Sequence, residues 1–159
     1  MKIVKIKPEL LQKFSINPQM LRKENRPCVL ILRLNYKDSV YNFAVPVRSN
    51  IPAASPKNEY FPLPTRYTTK DRNRHGLHYI KMFPVDKPYY DKYRTENNIA
   101  ASLMKASIED NHGRIVKECQ YYLDRYSAGN RPIFATDLDL LLCLLYPELP
   151  SQKRITLLC

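Results

Sequence analysis

Glycine is nearly missing from this 159-residue sequence: there are three. That scarcity argues against a phosphate cradle built from backbone amides. Neither GxGxxG nor GxxxxGK[ST] occurs, which excludes the usual dinucleotide fold and the P-loop. No CxxC pair is present among Cys28, Cys119, Cys143 and Cys159. A zinc site built on closely spaced thiolates is therefore not expected, and buried free thiols are. No GxSxG elbow marks a Ser/His/Asp hydrolase. The 15 Asp and Glu form no tight cluster of the kind a two-metal nuclease needs. No apolar run approaches the roughly 18 residues of a membrane span. The N-terminal MKIVKIKPELLQKF has no continuous apolar stretch of a signal peptide, so a cytoplasmic protein without a membrane role is expected.

What the sequence has in excess is positive charge. Lys and Arg number 26 against 15 acids, for a net +11. A pI of about 9.6 is the footprint of a chain that meets a polyanion, because counterion release rewards a basic surface there. The alternative is a basic protein whose charge only keeps it soluble. The 12 tyrosines could stack bases, or serve as core and rim residues. The length suits one domain spanning 1–159.

Along the chain, residues 2–6 read as a short strand and 9–14 as a short helix after Pro8, with a turn or second short helix from Asn17-Pro18 to Leu21. A hairpin follows. Its strands run Cys28 to Leu34 and Val40 to Val47, joined by a turn over 35–39. Pro46 lacks an N–H, so the second strand is expected to end or bulge there, leaving Arg48, Ser49 and Asn50 exposed at the sheet edge. Residues 51–74 read as a long irregular loop, rich in proline and basic residues. A strand is expected over 75–85, and helices over 95–108, from an Asn111 cap to Gly129, and over 137–146 behind a Thr136/Asp139 capping box. Strands first and helices after predict an α+β fold with a compact twisted antiparallel sheet and a helical C-terminal half.

The junction Val45-Pro46-Val47-Arg48-Ser49-Asn50 concentrates the chemistry. Arg48 can pair with a phosphate in bidentate fashion. Ser49 can donate to a phosphate oxygen or meet a ribose hydroxyl, and Lys57 can add charge. His75 and His78 lie three apart and face opposite sides of a strand, so they are not expected to share a site. His75 flanks the basic loop and is the better acid/base candidate; His78 reads as structural.

These same residues resemble a known family, the type III toxin–antitoxin endoribonucleases (ToxN/AbiQ family). Phe43-Ala44-Val45-Pro46-Val47-Arg48-Ser49-Asn50 looks like that family's strand ending in Ala-Pro-Leu-Thr-Ser-Pro-Lys. Residues 73–85, from Asn73-Arg74-His75-Gly76-Leu77-His78 to Phe83-Pro84-Val85, look like its later strand Gly-Leu-Ile-Asn-Leu-Lys-Phe-Met-Ile-Pro-Ile. The interval between the motifs is also similar, and the wording looks closest to the CptN/TenpN branch. The likeness covers about residues 26–85 well and the helical half loosely. It implies metal-independent cleavage of cellular or phage RNA, without a cofactor, leaving a 2′,3′-cyclic phosphate and a 5′-hydroxyl. It also implies a role in phage abortive infection. The partner it implies is a structured repeat RNA antitoxin that the toxin processes and that inhibits it within a closed protein–RNA assembly. It places Ser49 at the active-site serine and Arg48 at the preceding threonine, with Arg26 near a basic residue facing the RNA groove. The family's Pro-Lys after the serine is Asn50-Ile51 here, and a literal Ser-Pro-Lys comes later, at Ser55-Pro56-Lys57. A first-helix tyrosine of ToxN-like members is Leu10. Either Lys57 returns to supply the catalytic cation, or Arg48 and His75 take that task.

Arg48, Ser49, Lys57 and His75 are thus the catalytic candidates. Arg26, Asn50, Arg66, Lys70, Arg72, Arg74 and Lys81 are the RNA-binding candidates, with no metal site expected. The alternatives from other classes are a non-catalytic basic RNA-binding module and a protein-interaction domain.

Overall fold

A computed structural model of the chain describes residues 1–21, 26–96 and 98–148, with backbone alone at 30–32. The tail from 149 onward, including Cys159, and the polar loop residues 22–25 lie outside the described residues. The elements in chain order are β1 (Lys2–Ile6), α1 (Pro8–Lys13), β2 (Pro27–Tyr36), β3 (Ser39–Ile51), β4 (Tyr60–Pro62), β5 (Arg74–His78), β6 (Phe83–Pro84), β7 (Tyr90–Lys92), α2 (Ile99–Asp110), α3 (His112–Ser127) and α4 (Leu138–Leu145). The strands form one seven-stranded sheet in the order β4-β5-β3-β2-β1-β7, with β6 also on β3. Every pairing is antiparallel. The expected α+β class is what the chain adopts.

The expected hairpin is β2–β3. Its two-residue connection, Lys37-Asp38, has φ of 46° and 60°, the left-handed pair of a type I′ turn, whose twist matches the flanking strands. Side chains of β3 then alternate. Phe43, Val45 and Val47 enter a core shared with α2, α3 and α4, while Ala44 joins a second core under α1 with Leu10, Leu11 and Phe14. On α3 the anticipated stripe Ile115, Cys119, Tyr122, Leu123 and Tyr126 is buried. Cys28 and Cys119 are buried free thiols and Cys143 is half-buried.

Several local expectations are corrected. Pro46 neither ends nor bulges its strand. One edge of β3 holds β2 as far as Cys28↔Pro46. The other holds β6 at Phe43 and Ala44 and then β5 from Val47 on. Pro46 falls in the gap between those two partners, where no ladder needs its N–H. The 51–74 segment is not wholly irregular, since β4 pairs with β5 at the sheet edge. The strand expected over 75–85 is broken by a 3₁₀ turn at Tyr79–Lys81. From Asn17 to Leu21, of the two expected alternatives, the chain makes the turn. The first long helix starts later, at Ile99, where the Asn98 side chain accepts from Ala101 N at 3.0 Å. Asn111 is the N-cap residue of α3 as expected, but its side chain donates back to Ser107 O at 2.9 Å and makes no cap hydrogen bond. The cap of α4 is Asp137, accepting from Leu140 N at 3.0 Å. Thr136 Oγ1 instead donates to the Met82 carbonyl. Asp139 is buried against Tyr36 Oη (2.7 Å), Arg131 (2.7 Å) and Lys37 (3.1 Å).

Candidate nucleic-acid interface

The alternation of β3 carries Ala44, Pro46 and Arg48 on one face. Ala44 is covered by the α1 core; Arg48 lies beyond it, half-buried and open to solvent. Its register partner on β5 is Gly76. Between Arg48 and Ile51 the register shifts, so Ser49 and Asn50 form a bulge that bends the strand and returns Ile51 to the core. The bulge turns Ser49 and Asn50 into a cleft of about 370 Å³, which Arg26, Arg48, Arg66, Thr68 and Tyr93 also line. Three guanidiniums meet there, and among the described residues no carboxylate lines it.

The arginines are under-satisfied. Arg26 Nη1 donates to Val47 O at 3.4 Å, but its buried Nε has no partner among the described residues, and neither has that of Arg66. Burial lowers the pKa of Arg48, and the neighbouring charge of Arg26 lowers it further. Buried guanidinium N–H groups without acceptors, mutually repelling, are what an oxyanion would relieve.

Asn50 has a different task from surface contact. Its side-chain oxygen accepts from Lys70 N (2.8 Å) and Asn73 Nδ2 (3.3 Å), while its nitrogen donates to Thr68 O (3.1 Å). It therefore clamps the basic loop that carries Arg66, Lys70, Arg72 and Arg74 against the cleft. Tyr67, beside Arg66 and Thr68, is 96% exposed. Lys70, Arg72 and Arg74 are exposed on this loop.

The two histidines part as the strand period requires. His75 is buried, its Nδ1 against the Pro64 carbonyl, and it lines neither this cleft nor the next one. Burial lowers its pKa, the Pro64 contact raises it, and Arg66 lowers it. His78 lies on the Arg48 face, with Nδ1 2.8 Å from Arg48 Nη1. A guanidinium only donates, so Nδ1 accepts and the ring proton sits on Nε2. His78 is held neutral, its pKa pushed down to about 3 by burial and then by the charges of Arg48 and Lys81.

The ring titrates near 6.5 when unperturbed, so between 6.5 and about 3 the unfolded chain binds the proton that the folded chain refuses. The stability from this group is present above pH 6.5 and is lost as pH falls toward 3. The melting temperature should fall over that interval, and His78→Gln should flatten the fall. An equally steep profile in the variant would refute the assignment.

Lys81 is buried too. Its Nζ donates to Gln19 O (3.0 Å) and Gln19 Oε1 (2.8 Å). Burial, then the charge of Arg48, brings its pKa down to about 8. Arg48 is a shared wall: with His78, Lys81 and Gln19 it also lines a second cleft, of about 550 Å³. Lys57 is exposed and lines neither cleft, although its neighbour Pro56 lines the second. The structure thus gathers Arg26, Arg48, Ser49, Asn50 and Arg66, places Lys81 behind Arg48, and leaves Lys57 and His75 apart. Thr68, Tyr93, His78 and Gln19 join the site without having been singled out for it in the sequence. For His78 the signal was present, since it lies two residues beyond Gly76 and so on one face with it, but the pairing of Gly76 with Arg48 was not. Among the described residues no three of His, Cys, Asp and Glu group to hold a metal ion, and no helix is long and apolar enough to cross a membrane.

No protein-family model and no curated protein matches the sequence. Solved structures do match. A bacterial type III toxin–antitoxin protein, selectively inhibited by a non-coding RNA pseudoknot, superposes with a TM-score of 0.70 at 16% identity, over 92% of this chain and 98% of that one. AbiQ, a lactococcal anti-phage endoribonuclease of the type III systems, gives 0.68 at 14% identity, over 92% and 98%. A protein of a bacterial antiviral system regulated by a processed non-coding RNA gives 0.67 at 14%, over 89% and 95%. Across nearly its whole length, the chain has the fold of the ToxN/AbiQ type III toxins.

Proposed function

We propose that the protein is a metal-independent endoribonuclease toxin, restrained by a structured repeat RNA. The observation that carries this reading is the cleft where Arg26, Arg48 and Arg66 converge on Ser49, with no carboxylate lining it among the described residues. Such a cleft favours a phosphodiester over a neutral or cationic ligand. In the reaction, the substrate's 2′-oxygen attacks the adjacent phosphorus and gives its proton to solvent water. The P–O2′ bond forms as the P–O5′ bond breaks, and the leaving 5′-oxygen takes up a proton. The products are a 2′,3′-cyclic phosphate and a 5′-hydroxyl. Arg48 stabilises the extra charge on the phosphorane-like state, and Ser49 holds a non-bridging oxygen. Lys81, with a pKa of about 8, carries a proton it can release near neutral pH and is the candidate acid for the leaving oxygen. Neutral His78 orients Arg48. Lys57, Lys70, Arg72 and Arg74 draw the RNA in by long-range attraction. The cytoplasm, where RNA substrates and an RNA inhibitor meet the protein, is the proposed compartment.

The test is cleavage of a long mixed-sequence RNA in EDTA with end-group analysis. Wild type should cut and leave cyclic-phosphate ends, and Ser49→Ala should cut about 10²-fold more slowly while keeping its RNA affinity. Salt-sensitive binding without any cut would convert the reading to a non-catalytic RNA-binding module. Undiminished cutting by Ser49→Ala would remove the serine from the mechanism.

A further inference from the structure

The second cleft is unlike the first. Its walls are apolar, formed by Pro52, Pro56, Ile80, Pro132, Ile133 and Phe134, and Glu59 stands among them. A carboxylate and apolar walls do not suit a phosphate. Ile133 is 89% exposed and Phe134 64%. Neither is on a floppy tail: Ala135 N bonds Pro132 O at 2.9 Å and Thr136 N bonds Ile80 O at 2.9 Å, so the segment between α3 and α4 is bracketed to the turn that carries Lys81. Two large apolar side chains held rigidly in solvent are a liability unless something covers them.

The inner polar groups of this cleft are mainly donors. His78 is 1% exposed, and its Nε2, which bears the ring proton, has no partner among the described residues. The Lys81 ammonium and the Arg48 guanidinium lie beside it. A ligand that fits has flat apolar faces and an edge of acceptor atoms. A nucleobase has both. The cleft's 550 Å³ is within the range of about 300–1,000 Å³ typical of small-ligand sites. Arg48 is common to both clefts, so a base here belongs to a nucleotide beside the phosphate held there.

We infer that the cleft lined by His78, Lys81, Ile133 and Phe134 receives one unstacked nucleobase next to the bound phosphate and is the specificity pocket that selects where RNA is cut. This rests on the proposed RNA reading and adds the recognition that reading lacks. Phe134 and Ile133 cover the faces of the base, and the His78 Nε2–H donates to its edge. Glu59 offers a carboxylate acceptor for a base N–H. Specificity thus comes from a face and an edge that the phosphate cleft cannot read.

The test uses 2′-O-methyl homo-oligomers of the four bases, which cannot be cut, and an abasic chain of the same length and charge. Wild type should bind one base-bearing oligomer about tenfold or more tighter than the abasic chain. Phe134→Ala, a change at an exposed site that leaves the core intact, should lose that preference while its abasic affinity stays unchanged. His78→Gln should reshuffle the order among bases. Equal wild-type affinity for all chains, or an undiminished preference in Phe134→Ala, overturns the base pocket and leaves the RNA reading standing. Failure to bind any chain, abasic included, at low salt overturns both.

Discussion

Arg48→Ala should slow RNA cleavage by about 10³-fold or more, the largest loss expected of any single change in the cleft. Removing one donor from a charge-stabilising site costs about 10²–10³ in rate, and an arginine that meets the charge of a transferring phosphoryl group costs about 10³–10⁵. Among the described residues Arg48 alone lines both clefts, and it holds His78, so its loss uncouples the proposed phosphate site from the base pocket. Arg48→Lys separates charge from geometry. An ammonium keeps the charge but cannot bridge His78 and a phosphate with a rigid planar fork. The lysine variant should bind RNA nearly as wild type does and still cut about 10²-fold more slowly, the cost of one misplaced donor. The protein should remain folded in both variants: alanine relieves the repulsion from Arg26, and lysine keeps the charge arrangement as it is. Near-normal cleavage by a folded Arg48→Ala protein would sink the assignment of the cleft.

Gly76→Ala should give the largest loss traceable to backbone packing. A Cβ at Gly76 would lie 2.2 Å from the Phe61 carbonyl oxygen and 3.1 Å from its carbon. Those are backbone atoms of β4, paired to β5 through Phe61↔Leu77 and Pro62↔Gly76, and cannot rotate away. The methyl must push β4 from the sheet edge, and overpacking of this kind costs about 1–3 kcal/mol. The functional loss should exceed what that destabilisation implies, because Gly76 is the register partner of Arg48 and sits two residues before His78. At a temperature where the variant is still folded, RNA cleavage should already be strongly reduced. Gly113→Ala, with nothing within 4 Å of its new Cβ, is the matched control and should be nearly neutral. Equal behaviour of the two variants would show that the close approach of β4 and β5 is not required.

How much of this was legible beforehand depends on how local the cause is. The β2–β3 hairpin could be read because dense apolar segments flank a short polar turn. The apolar stripe of α3 could be read because five residues recur at helical spacing. The strand β4 could not: it is three residues among prolines, and it exists because Gly76 lets Phe61 come close. The fate of Pro46 was also hidden, since whether a missing N–H matters depends on which strand lies opposite. In the site, Arg48, Ser49 and Arg66 stood out as chemistry on a basic chain. Arg26 is indicated only by the family resemblance, which places it near a basic residue facing the RNA groove. Asn50 read as an exposed contact and is instead the clamp on the basic loop, a role set by Thr68, Lys70 and Asn73.

By itself, then, the sequence determined the charge, the mixed α+β class, the hairpin and the third helix, and a strand end that concentrates Arg48 and Ser49. These follow from composition and from side-chain period along one segment. Only the tertiary structure decided that His78 and not His75 meets Arg48, that Lys81 is buried behind it, and that Arg26 and Arg66 close on Ser49. The reason is physical: those neighbours are joined by the register of β3 on β5, by one bulge and by one close backbone approach. A one-residue slip in any of them would turn every following side chain to the opposite face.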